Sequence, residues 1–424
     1  MNAIHKENKH FWSFASTHFT YFFIWAIVYG YLTLWLEKVA HLNGTESGFI
    51  FSFMAGISLL FQPIFGILSD KLVFKKNLLV TITLAAILVG PFFQWLFLPI
   101  VHTSSFLAAI VAGLYLSFIL NGGVGVVEQY VERASLVNKF EYGHSRMGGS
   151  LAGMTASLVA GRLFIWQPNS IFWACSISAI ILTCLVLFSD KVNVSDLQSN
   201  PDTDSDSESA PLDKKTILSI FKLKNFWVLS LFYMGAAAIY DVFDQQFIVY
   251  FTTFFKTASQ GTLTYSYMAS AQTAIELLLM IPMPLIINKI GAKRGLIAFG
   301  FITFIRIFGS AVAPNWELLV FFRLLAGLEM PLLLVSIMKY ITGAFDIRLY
   351  ATVYLMASNF AKQISVFIFS TVAGKLYDVI GFQHTYFILS AIVFVITLVA
   401  AFMLEREHPL VDKATGQPVA QPES

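Results

Sequence analysis

The stretch Phe321-Phe322-Arg323-Leu324-Leu325-Ala326-Gly327-Leu328-Glu329-Met330-Pro331-Leu332-Leu333-Leu334-Val335 decides the fold. It lies inside a long apolar run, yet it carries an arginine and a glutamate. In a helix that begins near Glu317, Glu329 lies about 18 Å along the axis, close to the middle of a hydrocarbon core roughly 30 Å thick. A charge at that depth is strongly unfavourable unless it is paired, hydrated or neutralised. Arg323 and Glu329 point about 120° away from each other, so each needs a partner from another helix.

The composition is that of an integral membrane protein. The 424 residues are 57% hydrophobic and 12% charged, and the mean hydropathy is +0.71, whereas a soluble domain has about 25% charged residues. The net charge of +2 gives no indication of nucleic-acid binding. The sequence has no nucleophile motif, metal-ligand spacing or phosphate loop, so we expect no enzyme activity, no metal and no cofactor.

Twelve apolar runs are long enough to cross a bilayer as helices. They are continuous rather than alternating, which excludes a membrane β-barrel. We therefore predict an all-α membrane protein with twelve transmembrane helices. The predicted spans are 11–36, 47–69, 77–100, 104–131, 145–165, 168–188, 224–252, 263–287, 295–313, 316–340, 350–374 and 383–404.

A polar stretch from Ser189 to Thr216 separates the sixth and seventh spans, and its Asp, Ser and Glu residues cannot bury a core. This division predicts two six-helix halves joined by a linker. The predicted parts are an N-terminal half 1–188, an acidic cytoplasmic linker 189–220, a C-terminal half 221–405 and a cytoplasmic tail 406–424.

The distribution of Lys and Arg predicts the orientation. Most of the 27 basic residues lie in the termini, the linker and the even-numbered loops, and the opposite side keeps only Lys38, Arg162, Lys256 and Lys375. The positive-inside rule then places both termini in the cytoplasm. We expect a multi-pass protein of a bacterial inner membrane, surrounded by lipid and monomeric.

An internal repeat supports the division into halves. The segment Gly66-Ile-Leu-Ser-Asp-Lys-Leu-Val-Phe-Lys-Lys76 closes the second span, and Pro284-Leu-Ile-Ile-Asn-Lys-Ile-Gly-Ala-Lys-Arg294 closes the eighth. Two six-helix halves, each with a short basic loop after its second helix, resemble the arrangement found in the major facilitator superfamily. Val73 stands where the second glycine of the loop motif is usual, and Asn288 stands in the place of its aspartate.

The C-terminal half carries charges inside its predicted spans: Asp241, Asp244, Glu276, Arg306, Arg323, Glu329 and Lys362. Four carboxylates face three cations, so one carboxylate lacks a dedicated partner. Such a group takes up and releases a proton more readily near neutral pH, because burial disfavours its charged form. Glu329 is our candidate, since it is the deepest and has the most apolar surroundings. The alternative is that all seven residues form structural pairs in the interior of the bundle.

The N-terminal half has fewer charges. Glu128 and Glu132 share a face of the fourth predicted helix, and Arg146 opens the fifth. For Glu132 and Arg133 we favour a solvated helix end. That interpretation is weaker for Glu128, because the glycine-rich segment 121–125 precedes it. We interpret His18, in the first span, as a hydrogen-bonded interior histidine rather than a proton carrier.

Several segments resemble the lactose permease family, the oligosaccharide:proton symporters of the major facilitator superfamily. The most specific of them are Tyr240-Asp-Val-Phe-Asp-Gln-Gln-Phe247, Phe140-Glu-Tyr-Gly-His-Ser-Arg-Met147, Lys339-Tyr-Ile-Thr342 and Leu285-Ile-Ile-Asn288. The resemblance covers nearly the whole chain. It implies a transporter that takes a sugar and a proton as its substrates and works by alternating access.

The resemblance also implies roles for single residues. Glu128 and Arg146 match a carboxylate and an arginine that bind the sugar, and Asn121 matches an asparagine near that site. Glu329 matches the glutamate that carries the proton, with Arg306 close by.

Two interhelical charge pairs follow from the same resemblance. They are Asp241 with Lys362 and Asp244 with the cation at position 323, where Arg323 replaces the usual lysine.

Three positions depart from the lactose permease pattern. Gly153 occupies the position of a tryptophan that stacks on galactose, Ala326 that of a sugar-binding histidine, and Thr273 that of a glutamate. Gln272 and Glu276 are similar to the sucrose permease branch and are added to the expected sugar site.

We therefore expect a proton-coupled importer of a di- or oligosaccharide of the lactose, sucrose and raffinose class. A larger substrate would fit a site emptied at Gly153 and Ala326. The alternatives are an exporter or antiporter of the same superfamily, and a membrane-embedded sugar sensor that does not transport.

Overall fold

The computed structural model describes residues 2–72, 76–138, 140–189, 220–345 and 349–406. All regular elements within these ranges are helical. Almost all of the predicted linker and tail lie outside the described residues, as does Val73 of the first loop motif.

The first half contains six helices, which agree with the predicted spans to within several residues. They are α1 (Asn2–Lys38), α2 (Gly44–Leu72), α3 (Asn77–Ile87 and Val89–Thr103, bent by 45°), α4 (Ser105–Asn138), α5 (Tyr142–Trp166) and α6 (Ser170–Phe188).

The second half begins with four helices and ends in a long helical stretch. The helices are α7 (Lys224–Thr252), α8 (Ala258–Met280 and Met283–Ile290, bent by 61°), α9 (Ala292–Val312) and α10 (Trp316–Ala344), and the stretch is Tyr354–Met403.

This final stretch is two membrane spans rather than one. Its 50 residues would extend about 75 Å as a single helix, more than twice the thickness of the hydrocarbon core. Gly381 interrupts it with φ 81° and ψ 170°, a backbone conformation that residues other than glycine rarely adopt. We number the two parts α11 (350–380) and α12 (382–403), which brings the spans among the described residues to the predicted twelve.

Short-range sequence signals fix several helix ends. Ser104, Thr257 and Asn315 accept hydrogen bonds from backbone N–H groups in the first turns of α4, α8 and α10, as good N-cap residues do. Pro282 lies at the bend of α8, where the missing N–H of proline interrupts the helical hydrogen bonds.

The two halves meet closely on the side where α1 ends and α2 begins, opposite the N-terminus of α1. A Cβ built on Gly161 of α5 would lie 2.4 Å from Ser266 Cβ of α8. One built on Gly48 of α2 would lie 2.4 Å from the Ser370 carbonyl oxygen of α11. No side chain larger than hydrogen fits at these two positions without movement of the neighbouring helix.

Candidate functional site

A buried arginine joins three helices of the second half. Arg306 of α9 is 0% exposed; its Nε donates to the Glu329 carboxylate of α10 at 3.0 Å, and its Nη1 donates to Asp244 of α7 at 2.6 Å. Arg323 of α10 also donates to Asp244. The four side chains form one connected network, which we call the Arg306 network.

Aromatic rings surround the cations of the Arg306 network. The Arg306 guanidinium lies 4.7 Å from the ring centroid of Tyr240 and 4.8 Å from that of Phe243. Arg323 lies 5.2 Å from the ring of Phe247. These contacts stabilise the two positive charges where water has little access. Tyr240, Phe243 and Phe247 flank Asp244 at helical spacing in the sequence. Spacing within α7 alone does not show that these rings surround arginines of other helices.

A second charge pair joins α7 to α11. Lys362 Nζ lies 2.8 Å from Asp241 Oδ2, and the two side chains are 22% and 31% exposed. The contact joins the two residues that the family resemblance pairs. It is separate from the hydrogen bonds of the Arg306 network.

The carboxylate without a dedicated cation is Glu276, not Glu329. Counting charges predicts one surplus carboxylate, and the expectation that Glu329 is that carboxylate is wrong, because Arg306 on the neighbouring helix lies within hydrogen-bonding distance of it. The role of Glu329 as the proton carrier, which the family resemblance implies, stays a prediction. Glu276 has no ion pair among the described residues; Arg146 and Arg323 act on it only at longer range. The position of Glu329 along α10 does not predict that α9 places a cation beside it.

The first half holds a smaller polar cluster between α4 and α5. Arg146 Nε donates to Glu128 Oε1 at 3.1 Å, and their side chains are 42% and 20% exposed. His18 of α1 is fully buried and lies 3.1 Å from Ser145 Oγ and 4.0 Å from Glu128 Oε2. The sequence interpretation of His18 as a hydrogen-bonded interior histidine is compatible with this environment.

Asn121 is anchored from two sides. The Tyr29 hydroxyl of α1 donates to its side-chain oxygen, and its Nδ2 donates to the Met54 carbonyl oxygen of α2 at 3.3 Å. It lies in a π-helical turn, Ser117–Gly122, and such turns are frequent at functional sites. Asn121 therefore links α1 and α2 to the helix that carries Glu128.

The departures at Gly153 and Ala326 lie where helices of the bundle contact one another. A Cβ on Gly153 would lie 3.4 Å from Thr273 Cγ2, so α5 and α8 approach closely at this point. Ala326 is 0% exposed. The expectation that a larger substrate uses the space at these two positions stays a prediction. Gln272 lies one turn from Glu276 on α8 and is 8% exposed.

Asp378, near the end of α11, forms a contact with the start of α2 that the sequence did not predict. Its carboxylate accepts hydrogen bonds from Gly44 N at 2.9 Å and Thr45 N at 2.8 Å, in the first turn of α2. Gln246 Nε2 of α7 donates to the Gly44 carbonyl oxygen at 2.9 Å. The partners are hundreds of residues apart in the chain, so no local pattern could predict the contact.

The described residues contain no group of three or more His, Cys, Asp or Glu side chains arranged to hold a metal ion. What the two clusters offer instead is a set of hydrogen-bonding and titratable groups inside the membrane spans. Such groups suit a hydroxylated solute and a proton.

Comparisons with known proteins agree with this chemistry. The model of a family described as "LacY proton/sugar symporter" matches residues 3–415. The chain is 39% identical to the raffinose permease of Escherichia coli over 98% of both chains. It is 39% identical to the melibiose permease of Enterobacter cloacae over 96% of this chain and 95% of that protein. It is 30% identical to the sucrose permease of Escherichia coli over 97% of each.

Among solved structures, the nucleoside transporter NupG is similar in fold, with a TM-score of 0.77. That likeness covers 94% of this chain and 99% of NupG at 15% identity, and it shows the fold alone. The family model and the relatives together cover nearly the whole chain. The chain therefore belongs to the LacY proton/sugar symporter family.

Proposed function

We propose that this symporter imports a di- or oligosaccharide together with a proton by alternating access. As a member of a symporter family the chain is a transporter and not an enzyme. The observation that carries the proposal is the fully buried Glu329 beside Arg306, at mid-span in a chain whose relatives are named raffinose, melibiose and sucrose permease.

The sugar lies between the halves in this proposal. Glu128, Arg146 and Asn121 contact it from the first half, and Gln272 and Glu276 from the second. A guanidinium is a planar set of donors and a carboxylate is a strong acceptor, so each can bond two neighbouring hydroxyls. The Arg146 side chain is partly exposed, which supports the proposal that a solute can reach this cluster.

The proton binds Glu329 in this proposal, with Arg306 as its positioning partner. One charge moving through 100 mV supplies about 2.3 kcal/mol, and a tenfold sugar gradient requires about 1.4 kcal/mol. One proton per sugar therefore supports roughly fiftyfold accumulation. The pair Asp241–Lys362 has an architectural role, holding α7 against α11. Asp244 holds α7 against α10 through Arg323 and is also a negative partner of Arg306.

The two halves, 1–188 and 221–405, rock about this central site. The contacts at Gly48, Gly161 and Asp378 support a state closed on one side of the membrane. We place both termini and the linker 189–220 in the cytoplasm of a bacterial cell, on the strength of the Lys and Arg distribution. The protein is monomeric in this proposal and sits in the inner membrane.

The test uses cells that express the chain and an unbuffered medium. Adding raffinose, melibiose, lactose and sucrose in turn should produce external alkalinisation together with uptake of at least one sugar. Uptake without alkalinisation would contradict proton symport. Uptake with external acidification would favour an antiporter, in which sugar and proton move in opposite directions. Binding of a sugar by the purified protein without transport into proteoliposomes would favour a sensor.

A further inference from the structure

One face of α1 contacts the polar cluster of the first half. His18, Phe22, Trp25 and Tyr29 are spaced by four, three and four residues, so they lie within about 60° of one another around the helix. We call these four residues the α1 aromatic face. It contacts Glu128 through His18 at 4.0 Å, Arg146 through the Phe22 ring at 5.8 Å, and Asn121 through the Tyr29 hydroxyl.

Trp25 lies between those contacts and at mid-depth. It is near the centre of the membrane span Phe11–Lys38, and its ring lies 4.4 Å from the ring of Tyr29. Its neighbours on the face are already engaged, because Phe22 contacts a guanidinium and Tyr29 donates to an amide. Trp25, by contrast, makes no polar contact with any of the described residues.

The indole N–H of Trp25 distinguishes it from Trp35 and Trp173, two packed tryptophans of the first half. Trp35 Nε1 donates to Asn169 at 2.8 Å, and Trp173 Nε1 donates to Gln94 at 2.7 Å. Trp25 is only partly buried, and no described residue accepts from its indole. A tryptophan at mid-span with a free donor on a polar face is poorly explained by lipid contact or core packing, since indole N–H groups usually find a partner.

A glycine of α5 packs against this face. Gly149 and Gly153 are one turn apart on α5, and a Cβ on Gly149 would lie 2.9 Å from the Phe22 ring. The Phe22 ring of α1 therefore supplies apolar surface next to Arg146. A ligand held by Glu128, Arg146 and Asn121 would find the Trp25 ring between them.

We propose that Trp25 is a substrate contact whose indole face stacks on the apolar C–H face of one pyranose ring. This inference rests on the proposed function, because it takes the ligand to be a sugar. The ring hydroxyls bond to Glu128 and Arg146 on one side and to Asn121 on the other, and the indole N–H is free to donate to one more oxygen. The residue then contributes to the choice of a solute that has both an apolar face and hydroxyl edges.

The experiment compares Trp25→Phe, Trp25→Leu and Trp25→Ala in the full-length purified protein. Leu supplies a bulky apolar side chain without an aromatic face, so it separates stacking from size. Trp166→Leu is the matched control, since Trp166 is 77% exposed at the end of α5. The dissociation constants of raffinose, melibiose, lactose and sucrose are measured for each variant, and the thermal midpoint reports folding.

We expect Trp25→Phe to stay within about threefold of the unchanged protein and Trp25→Leu and Trp25→Ala to bind at least about tenfold more weakly, the scale of one aromatic contact. Trp166→Leu should bind normally. Equal affinity of the Leu and Phe variants, or an unchanged Ala variant, would overturn the stacking proposal while leaving sugar transport intact. An unchanged protein that neither binds nor transports any of the four sugars would overturn the proposed function itself.

Tryptophan fluorescence provides a second measurement that does not depend on the less conservative variants. The chain has 8 tryptophans, and a sugar stacked on one of them changes its emission. The sugar-dependent change should be clearly smaller in Trp25→Phe than in the unchanged protein and in Trp166→Leu. A change of the same size in Trp25→Phe would contradict the proposal.

Discussion

Arg306 Nε lies 3.0 Å from the carboxylate of Glu329, and neither residue has exposed surface. The same guanidinium bonds Asp244 at 2.6 Å. In the proposed mechanism, when Glu329 takes up a proton, Arg306 therefore keeps Asp244 as a negative partner, which it shares with Arg323. Leaving a buried cation without one would be strongly unfavourable, so in this proposal the carboxylate of Asp244 allows that of Glu329 to change its charge.

The first prediction concerns the proton site. Glu329→Gln keeps an acceptor for Arg306 but cannot change its charge. In proteoliposomes we expect sugar accumulation under an imposed proton gradient to fall from as much as roughly fiftyfold to equilibrium. Exchange of labelled for unlabelled sugar should continue, because exchange needs no net proton movement. Accumulation that persists in this variant would show that another group carries the proton.

The second prediction separates the two charge pairs by double substitution. Asp244→Asn with Arg323→Gln keeps the net charge, but Arg306 is then left with Glu329 as its carboxylate. We expect this variant to fold and to exchange sugar but to accumulate it at least about tenfold less, because protonation of Glu329 would strand a buried cation.

The control for that prediction is Asp241→Asn with Lys362→Gln, which removes the pair outside the Arg306 network. It should fold and accumulate sugar within about threefold of the unchanged protein. Both variants are compared by uptake per amount of protein in the membrane. If the two double variants accumulate sugar equally, Asp244 has no role in the protonation of Glu329.

Sequence reasoning predicted what depends on local or compositional signals. The twelve spans follow from apolar runs, and the interior position of Arg306 and Glu329 follows from their place inside those runs. Which carboxylate stays unpaired did not follow, because α9 and α10 are brought together by packing that no spacing in one helix encodes. The contact of Asp378 with α2 is of the same kind, since it joins the two halves.

The third prediction concerns Glu276, the carboxylate without an ion pair among the described residues. Glu276→Gln should leave the thermal midpoint unchanged or raise it, because no cation loses its partner and a partly buried charge is removed. Sugar affinity should fall by about tenfold or more, the scale of a hydrogen bond to a charged acceptor. The control is Glu128→Gln, which removes the ion-pair partner of Arg146 and should lower both affinity and thermal midpoint. A Glu276→Gln variant with normal affinity would remove this residue from the proposed sugar site.

The fourth prediction concerns the Asp378 contact between the two halves, which in the proposed function helps to close one side of the transporter. Asp378→Ala removes the acceptor of the Gly44 and Thr45 N–H groups without touching the proposed sugar or proton groups. At about 1 kcal/mol for one hydrogen bond, the loss should shift the population by about fivefold or more away from the closed arrangement. Distances between spin labels on α2 and α11 should show a larger open fraction on the side opposite the N-terminus. Asp378→Glu keeps a carboxylate and should shift the population less. Identical distance distributions in the Ala variant and the unchanged protein would mean that close packing at Gly48 and Gly161 alone determines closure.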